Sequence, residues 1–118
     1  MSFHYLATPY TKYHAGLEAA FLEACKITAR LAKEGLIAYS PIVHTHPIAT
    51  HGGIDPVDHK FWMKFDEPMM AAAGALLVAH MSGWNKSKGI AMEVDYFERQ
   101  GKPIYDLDIA TLKWTQRQ

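Results

Sequence analysis

The sequence lacks cysteine pairs. Cys25 is the only cysteine among the 118 residues, so no disulfide can form within the chain. A chain with one thiol suits a reducing compartment, and we expect a cytoplasmic protein. Cys25 falls inside a helical pattern, where a free cysteine is most often a small core residue.

An excess of charge of one sign is also missing. Twelve Lys and Arg residues balance twelve Asp and Glu residues, so the formal net charge is zero. We therefore expect neither a surface for polymeric nucleic acid nor one for a membrane. The longest apolar run, residues 69–80, is too short to span a bilayer. With about half of its residues apolar, the chain predicts one packed domain over residues 1–118.

What is present is an alternation of strand-like and helix-like segments. Strands are predicted at residues 3–7, 36–40, 75–79 and 104–105, and helices at 13–34, from 58 through 65, at 87–100 and, weakly, at 108–114. Helices between successive strands imply parallel pairing with right-handed crossovers. We predict an α/β domain, a three-layer sandwich around a parallel sheet of four to five strands.

Prolines shape the middle of this pattern. Residues 41–56 contain three prolines and two glycines and are predicted to form one long loop. Asp58 is a predicted N-cap for the helix that follows. Pro68 is expected to kink or restart that helix, in which case Asp66 would cap the second piece.

Ligands of such sheets bind outside the carboxyl ends of the strands. Three predicted loops, residues 8–11, 41–56 and 81–86, converge there. Just beyond the third loop, Ser87 is the predicted N-cap of a helix, where free amides and the helix dipole also suit a phosphate or carboxylate. Capping alone would equally explain this serine.

Gly89 and Glu93 lie four residues apart and share one face of that helix. The glycine would leave room for a ligand to approach the carboxylate. The alternative is an exposed glutamate beside a tolerated glycine. Asp66 is the candidate second carboxylate, because two carboxylates around one pocket can divide the work of breaking a glycosidic bond.

Tyrosines and histidines supply further candidates. Tyr5 and Tyr10 flank the end of the first strand and either donate a phenolic hydrogen bond or pack in the core or rim. We interpret His44 and His46 as residues that orient or close over a substrate. Joined by His51 or His59 they would also supply three metal ligands, although His-x-His in a loop is a pattern of low specificity.

An aromatic and methionine cluster follows Asp58. It is interpreted as core or as a dimer interface, with base stacking by its tryptophan as an alternative, and it comprises Phe61, Trp62, Met63, Phe65, Met69 and Met70.

The order of these features resembles the nucleoside 2-deoxyribosyltransferase superfamily, including the 2′-deoxynucleoside 5′-phosphate N-hydrolases. The likeness rests on the strand Tyr5-Leu6-Ala7, on Asp66 before an apolar strand, and on Ser-x-Gly-x-x-x-Glu ending at Glu93. It extends to uncharacterised branches described as domains of unknown function. The resemblance implies a Rossmann-like or flavodoxin-like fold, a homodimer or higher homo-oligomer, and a nucleoside or nucleotide ligand.

The resemblance also implies roles for single residues. Glu93 would be the nucleophile, Asp66 would handle protons, Tyr5 would assist near the nucleophile, and Ser87 would hold a 5′-phosphate. This chemistry needs no cofactor and no metal.

Three departures from the family pattern lie in the loops, and one of them is the His-rich loop. Thr8 and Pro9 stand where the family has glycine, and the loop before Ser87 is longer by Trp84, Asn85 and Lys86. Because these loops lie where the family binds its ligand, Thr8, Trp84 and Asn85 join the candidate substrate contacts.

Three hypotheses follow for function. The first is an enzyme that cleaves or transfers at an N-glycosidic bond, with hydrolysis favoured because a phosphate-type serine is present. The second is a non-catalytic module that binds a nucleotide or nucleotide-sugar on the same fold. The third is a metal-dependent hydrolase built on the histidines of residues 44–51.

Overall fold

A computed structural model describes residues 2–118 and confirms the α/β architecture. The strands are His4–Ala7 (β1), Ala38–Tyr39 (β2), Ala75–Ala79 (β3), Ile104–Leu107 (β4) and Trp114–Gln116 (β5). The helices are Leu17–Lys33 (α1), Pro41–Gly52 (α2), His59–Ala72 (α3) and Lys88–Arg99 (α4), with a short 3-10 helix at Trp84–Lys86. Together they form a three-layer, Rossmann-like and flavodoxin-like fold.

The sheet has five strands in the order β2-β1-β3-β4-β5. The first four are parallel, and β5 pairs antiparallel with β4. The chain moves outward in one direction from β1 to β2 and in the other from β3 to β4. The carboxyl ends of β1 and β3 therefore form a topological switch point, the place where sheets of this kind bind ligands.

Alternating side chains divide the core between the two faces of the sheet. Tyr5, Leu76 and Val78 pack on one face with buried residues of α3 and α4. Leu6 and Leu77 pack on the other face with buried residues of α1. All five residues of β3 are buried, as expected for a central parallel strand.

The predicted loop over residues 41–56 is wrong, because most of it is α2. Ser40 caps this helix by accepting a hydrogen bond from the Val43 amide at 3.3 Å. Pro41 takes the first helical position, where its missing N–H removes no helical bond. Gly53 ends the helix in the left-handed conformation, with φ at 71°.

The prediction for α3 was half right. Asp58 caps the helix by accepting from the Phe61 amide at 3.3 Å. Pro68 does not restart the helix, which continues to Ala72, and Asp66 caps nothing. A proline removes the bond to the carbonyl four residues earlier, here Lys64. Both residues are exposed, so that carbonyl faces water and the helix continues.

The predicted helix over residues 108–114 is also wrong. The Asp108 carboxylate accepts from the Ala110 amide at 2.9 Å and the Thr111 amide at 3.2 Å, which fixes a tight turn. The chain then returns as β5, with Leu112 at a positive φ of 63°. The sheet is thus mostly parallel, with one antiparallel edge strand.

Smaller differences concern bounds and burial. α1 begins at Leu17 rather than at residue 13, and β2 has two residues rather than the five predicted. Cys25 is half-buried rather than a core residue. No helix within residues 2–118 has the length and apolar character needed to cross a membrane.

Candidate active site

A cleft opens at the switch point between β1 and β3. The space between its walls and at its mouth is about 600 Å³, part of which is open solvent. The loop after β1 and the first turns of α4 contribute its polar side, and α2 and α3 contribute much of the rest. It is lined by Thr8, Tyr10, Thr11, Pro41, Ile42, Thr45, Pro56, His59, Trp62, Met63, Asp66, Ser87, Gly89 and Glu93.

Two buried carboxyl groups line this cleft. Asp66 of α3 and Glu93 of α4 are only 8% and 7% exposed. Each stands on the buried stripe of its helix, Asp66 between Trp62 and Met70, and Glu93 between Ile90 and Phe97. Burying a carboxyl group on an apolar helix face lowers the stability of the fold. A chain that keeps two such groups in one cleft therefore favours a functional role for them.

Burial sets the ionisation of both groups. Loss of hydration raises the pKa of Asp66 to about 7. It also raises the pKa of Glu93 to about 8, where contact with the Tyr5 hydroxyl acts downward and the charge of Asp66 acts upward. Asp66 Oδ1 has no hydrogen-bond partner within the described chain. The pair can therefore hold a proton near neutral pH.

Tyr5 is fully buried beside Glu93, and it is not among the described residues that line the cleft. Burial, followed by the charges of Glu93 and Asp66, holds its pKa well above the usual range. The phenol is thus a neutral donor beside Glu93. Within residues 2–118 its oxygen has no hydrogen-bond partner, so the phenol and Glu93 are close neighbours rather than a formed hydrogen bond.

A second tyrosine, Tyr39, was missed by the sequence interpretation. Its ring centre lies 5.8 Å from that of Tyr5, and its buried hydroxyl also lacks a partner within residues 2–118. Burial, with a smaller effect of the Asp66 charge, raises its pKa to about 12. The parallel register that pairs Tyr5 with Tyr39 brings the two rings together. The position of Tyr39 at the end of a predicted strand was the available signal.

Ser87 and Gly89 form the part of the wall contributed by the start of α4. The Ser87 hydroxyl accepts from the Ile90 amide at 3.2 Å, which confirms the predicted N-cap. A Cβ atom added at Gly89 would meet only the Ser87 hydroxyl, at 3.8 Å. The space in front of Gly89 is therefore open, on the same wall as Glu93.

Thr8 and Tyr10 line the cleft from the loop after β1. Thr8 is buried, and its hydroxyl finds no partner within the described chain. Tyr10 is bonded through its hydroxyl to His46 Nδ1 at 2.6 Å. His46 is itself buried behind Tyr10 rather than in the lining, so it reaches the cleft only through that tyrosine.

Three other predicted contacts lie elsewhere. His44 is exposed on α2, with its ring 5.6 Å from that of Phe65. Trp84 stacks on His80, with ring centres 3.9 Å apart, and Asn85 is exposed. None of the three is among the described residues that line the cleft.

The histidines of α2 do not form a metal centre. Within residues 2–118 no three His, Cys, Asp or Glu side chains are grouped as ligands of one ion. The helical geometry separates His44, which is exposed, from His46, which is buried. The hypothesis of a hydrolase with a metal on His44, His46 and His51 therefore has no geometric basis here.

An apolar wall faces the polar groups, and its members in α2, Pro41 and Ile42, were not singled out because residues 41–56 were predicted to be a loop. Trp62 is its largest member and is 8% exposed. Its indole N–H donates to the Asp55 carbonyl at 2.8 Å, which fixes the plane of the ring. Among the described residues lining the cleft, none is Lys or Arg.

Comparison with known proteins places the chain in a family. A family model described as a domain of unknown function (DUF1937) matches residues 2–108. No curated protein matches the chain. Because the family model spans most of the sequence, the chain belongs to the DUF1937 family.

Proposed function

We propose that this protein cleaves the N-glycosidic bond of a nucleoside or nucleoside 5′-monophosphate. The observation that carries the proposal is that two buried carboxyls, Asp66 and Glu93, line one cleft at the switch point of the sheet. The likeness of the Ser87–Glu93 segment to the nucleoside 2-deoxyribosyltransferase superfamily supports the same assignment. Hydrolysis is favoured over transfer to a second base, because Ser87 corresponds to the phosphate-binding serine of the nucleotide hydrolases.

In the first step the Glu93 carboxylate attacks the anomeric carbon. A C–O bond forms as the C–N bond breaks, and the departing base takes a proton from Asp66. The pKa of about 7 that burial gives Asp66 suits a group that must be protonated and still give up its proton. Because the pKa of Glu93 is the higher of the two, the single proton of the pair lies mainly on Glu93, and attack requires its transfer to Asp66. Positive charge that develops at the anomeric carbon favours the ionised form of Glu93 and therefore favours this transfer.

In the second step water releases the sugar. Asp66, now a carboxylate, removes a proton from water, which attacks the anomeric carbon and breaks its bond to Glu93. Glu93 leaves as a carboxylate, and Asp66 is again protonated. Tyr5, a neutral donor beside Glu93, stabilises the carboxylate both before attack and as it leaves.

The walls of the cleft suit the two ends of a nucleoside. Trp62, with its fixed ring plane, offers a face to an aromatic base. Thr8 and Ser87 offer hydroxyls to a sugar, and the first-turn amides of α4 would bind a 5′-phosphate. Lys86 and Lys88 are exposed on either side of Ser87 and would add charge at the rim.

The test is release of free base by the Glu93→Gln variant. Purified protein is incubated with a panel of nucleosides and nucleoside monophosphates, and free base is measured by chromatography. We expect the wild type to release base from at least one member and Glu93→Gln to lose at least about a thousandfold in kcat, because the nucleophile is gone. The control is Glu98→Gln, an exposed glutamate of the same helix, which should keep full activity.

Two outcomes contradict the proposal. Full activity of Glu93→Gln would remove the nucleophile from the mechanism. Tight binding of a panel member by the wild type without base release would favour the alternative, a non-catalytic nucleotide- or nucleotide-sugar-binding module.

The proposal includes a homodimer in a reducing cytoplasm, without a cofactor. The apolar surface is smaller than the sequence indicated, because Trp62 and Met70 are buried and Met63 and Met69 pack against the core. Phe61 and Phe65 remain 43% and 41% exposed on α3, the helix that carries Asp66.

A second copy would cover these two rings beside the cleft. Light scattering at micromolar concentration tests this part of the proposal. A dimer that dissociates in Phe65→Asp supports it, and a monomeric wild type contradicts it.

A further inference from the structure

We propose that Tyr10, held by His46 and Glu18, presents a fixed hydrogen-bond acceptor to the cleft and thereby selects a ligand with a hydroxyl or amino hydrogen at that place. The inference deepens the proposed function, on which its choice of ligands rests. It concerns recognition rather than bond cleavage. Tyr10 would contact the ligand, while His46 and Glu18 would act through it as positioning residues.

Three side chains form a chain of contacts from solvent to the cleft. Glu18 of α1 has its Oε2 atom 3.3 Å from His46 Nε2. On the other side of the same ring, Nδ1 lies 2.6 Å from the Tyr10 hydroxyl. Tyr10 lines the cleft, whereas His46 is buried and the Glu18 side chain is 67% exposed.

The positions of the hydrogens along these contacts decide whether the Tyr10 hydroxyl acts as a donor or an acceptor toward the cleft. An ionised carboxylate only accepts hydrogen bonds, so the proton of a neutral His46 ring belongs on Nε2, facing Glu18. Nδ1 is then bare and accepts. The single hydrogen of the Tyr10 hydroxyl is directed to it. A ligand group beside the tyrosine oxygen therefore meets lone pairs and must itself donate.

Packing keeps the imidazole in this orientation. Its ring stacks on Phe21, with centres 4.5 Å apart and planes 22° from parallel. Tyr10 meets the same ring edge-on, at 84°. Burial, aided by the charge of Glu18, raises the pKa of Tyr10 to about 12. The phenol therefore stays protonated and donates its hydrogen bond to His46. The tyrosine oxygen is thus preorganised as an acceptor.

A purely structural role would look different. If the contact only tied the loop after β1 to α2, loss of the Tyr10 hydroxyl would change the affinity for all ligands by one factor. An acceptor in the cleft instead discriminates between ligands that differ by a single donor, because an unpaired polar group is costly in a buried site.

The first experiment reads the His46 tautomer without any ligand. Long-range ¹H–¹⁵N correlation spectra of ring-labelled protein, recorded at alkaline pH where imidazoles are neutral, distinguish a protonated from a bare ring nitrogen. We expect a bare Nδ1 in the wild type and a mixture of tautomers in Glu18→Gln, whose amide can both donate and accept. A proton on Nδ1 in the wild type overturns the inference.

The second experiment compares Tyr10→Phe with Tyr13→Phe, a tyrosine close by in the chain but outside the cleft. Dissociation constants are measured for a nucleoside and for analogues in which each hydroxyl or amino donor is methylated or removed in turn. One deletion should cost about tenfold in the wild type and in Tyr13→Phe, and nothing in Tyr10→Phe. Equal losses in all three proteins overturn the inference.

The two experiments separate this inference from the proposed function. If the wild type binds no nucleoside, the proposed function fails. The tautomer of His46 then still tests the premise of the inference, because its measurement needs no ligand and a proton on Nδ1 overturns it.

Discussion

The charge of Asp66 raises the pKa of Glu93 across the cleft, in addition to the larger effect of burial. Two carboxyls coupled in this way titrate as a pair, so their apparent values belong to both residues. With pKa values of about 7 and about 8, the pair holds one proton in the neutral range. The higher value places that proton mainly on Glu93, so attack by Glu93 requires its transfer to Asp66.

The first prediction concerns the pH dependence of base release. We expect kcat/KM to rise as the first proton leaves the pair and to fall as the second leaves, with a maximum at about pH 7 to 8. In Asp66→Asn the residual kcat/KM should no longer fall at alkaline pH, because Glu93 stays ionised there and no second carboxyl titrates. A profile that is flat from about pH 5 to 9 would contradict a role for the pair.

The second prediction concerns stability. A carboxyl whose pKa is raised by folding stabilises the fold below its unfolded pKa, near 4, and that stabilisation is lost as pH rises through the folded value. At pH 8 we therefore expect Asp66→Asn and Glu93→Gln to be more stable than the wild type by roughly 1–3 kcal/mol, and at pH 4 to be nearly equal to it.

Urea unfolding at the two pH values measures these differences. Comparing each variant with the wild type at the same pH removes other titrations, including that of Asp106, whose pKa Arg117 and His80 lower. Glu98→Gln serves as the exposed control and should show no such dependence. Destabilisation of both variants at pH 8 would mean that the carboxyls are structural.

The third prediction concerns Gly89, where a substitution should weaken ligand binding without destabilising the fold. An alanine Cβ would meet only the Ser87 hydroxyl at an ordinary contact distance, and alanine suits a helix better than glycine. Gly89→Ala should therefore keep or slightly raise the melting temperature and weaken ligand binding at least about tenfold, because the methyl group occupies ligand space. Gly52→Ala, also helical and open, is the control that should leave binding unchanged.

The fourth prediction assigns two roles to Ser87. Ser87→Ala should cost about 1 kcal/mol of stability through the lost cap, and it should also weaken binding. Ser87→Asp keeps a capping oxygen and adds negative charge. It should restore stability while a phosphorylated ligand loses more affinity than in Ser87→Ala. The comparison is Asp58→Ala, which removes the cap of α3 without touching the cleft lining.

Those parts of the fold that depend on local sequence pattern were predictable. β3 was predicted with its observed bounds, because a continuous apolar run specifies a central parallel strand. The Ser87 cap and the helix behind it followed from residue type and period. α2 was missed although Ser40 and Pro41 gave a valid start signal, because its prolines and glycines are also typical of loops.

Asp66, Ser87, Gly89 and Glu93 were candidates from the sequence and all four line the cleft, but the way in which α3 brings Asp66 there was not predictable. Asp66 has the same local pattern whether it caps a restarted helix or lies buried beside Glu93. The difference depends on whether the chain can continue helically past Pro68, which solvent exposure of that side decides. Strand register brings Tyr39 against Tyr5, and helix packing turns Trp62 toward the cleft, neither of which a linear pattern encodes.

The absence of Lys and Arg among the described residues of the cleft lining has a consequence for ionic strength. An unphosphorylated nucleoside held there by hydrogen bonds and stacking would bind with an affinity that added salt barely changes. A nucleotide would owe part of its affinity to Lys86 and Lys88 at the exposed rim, where salt screens charge within about 10 Å. The slope of affinity against salt concentration would therefore distinguish the two kinds of substrate before any turnover is measured.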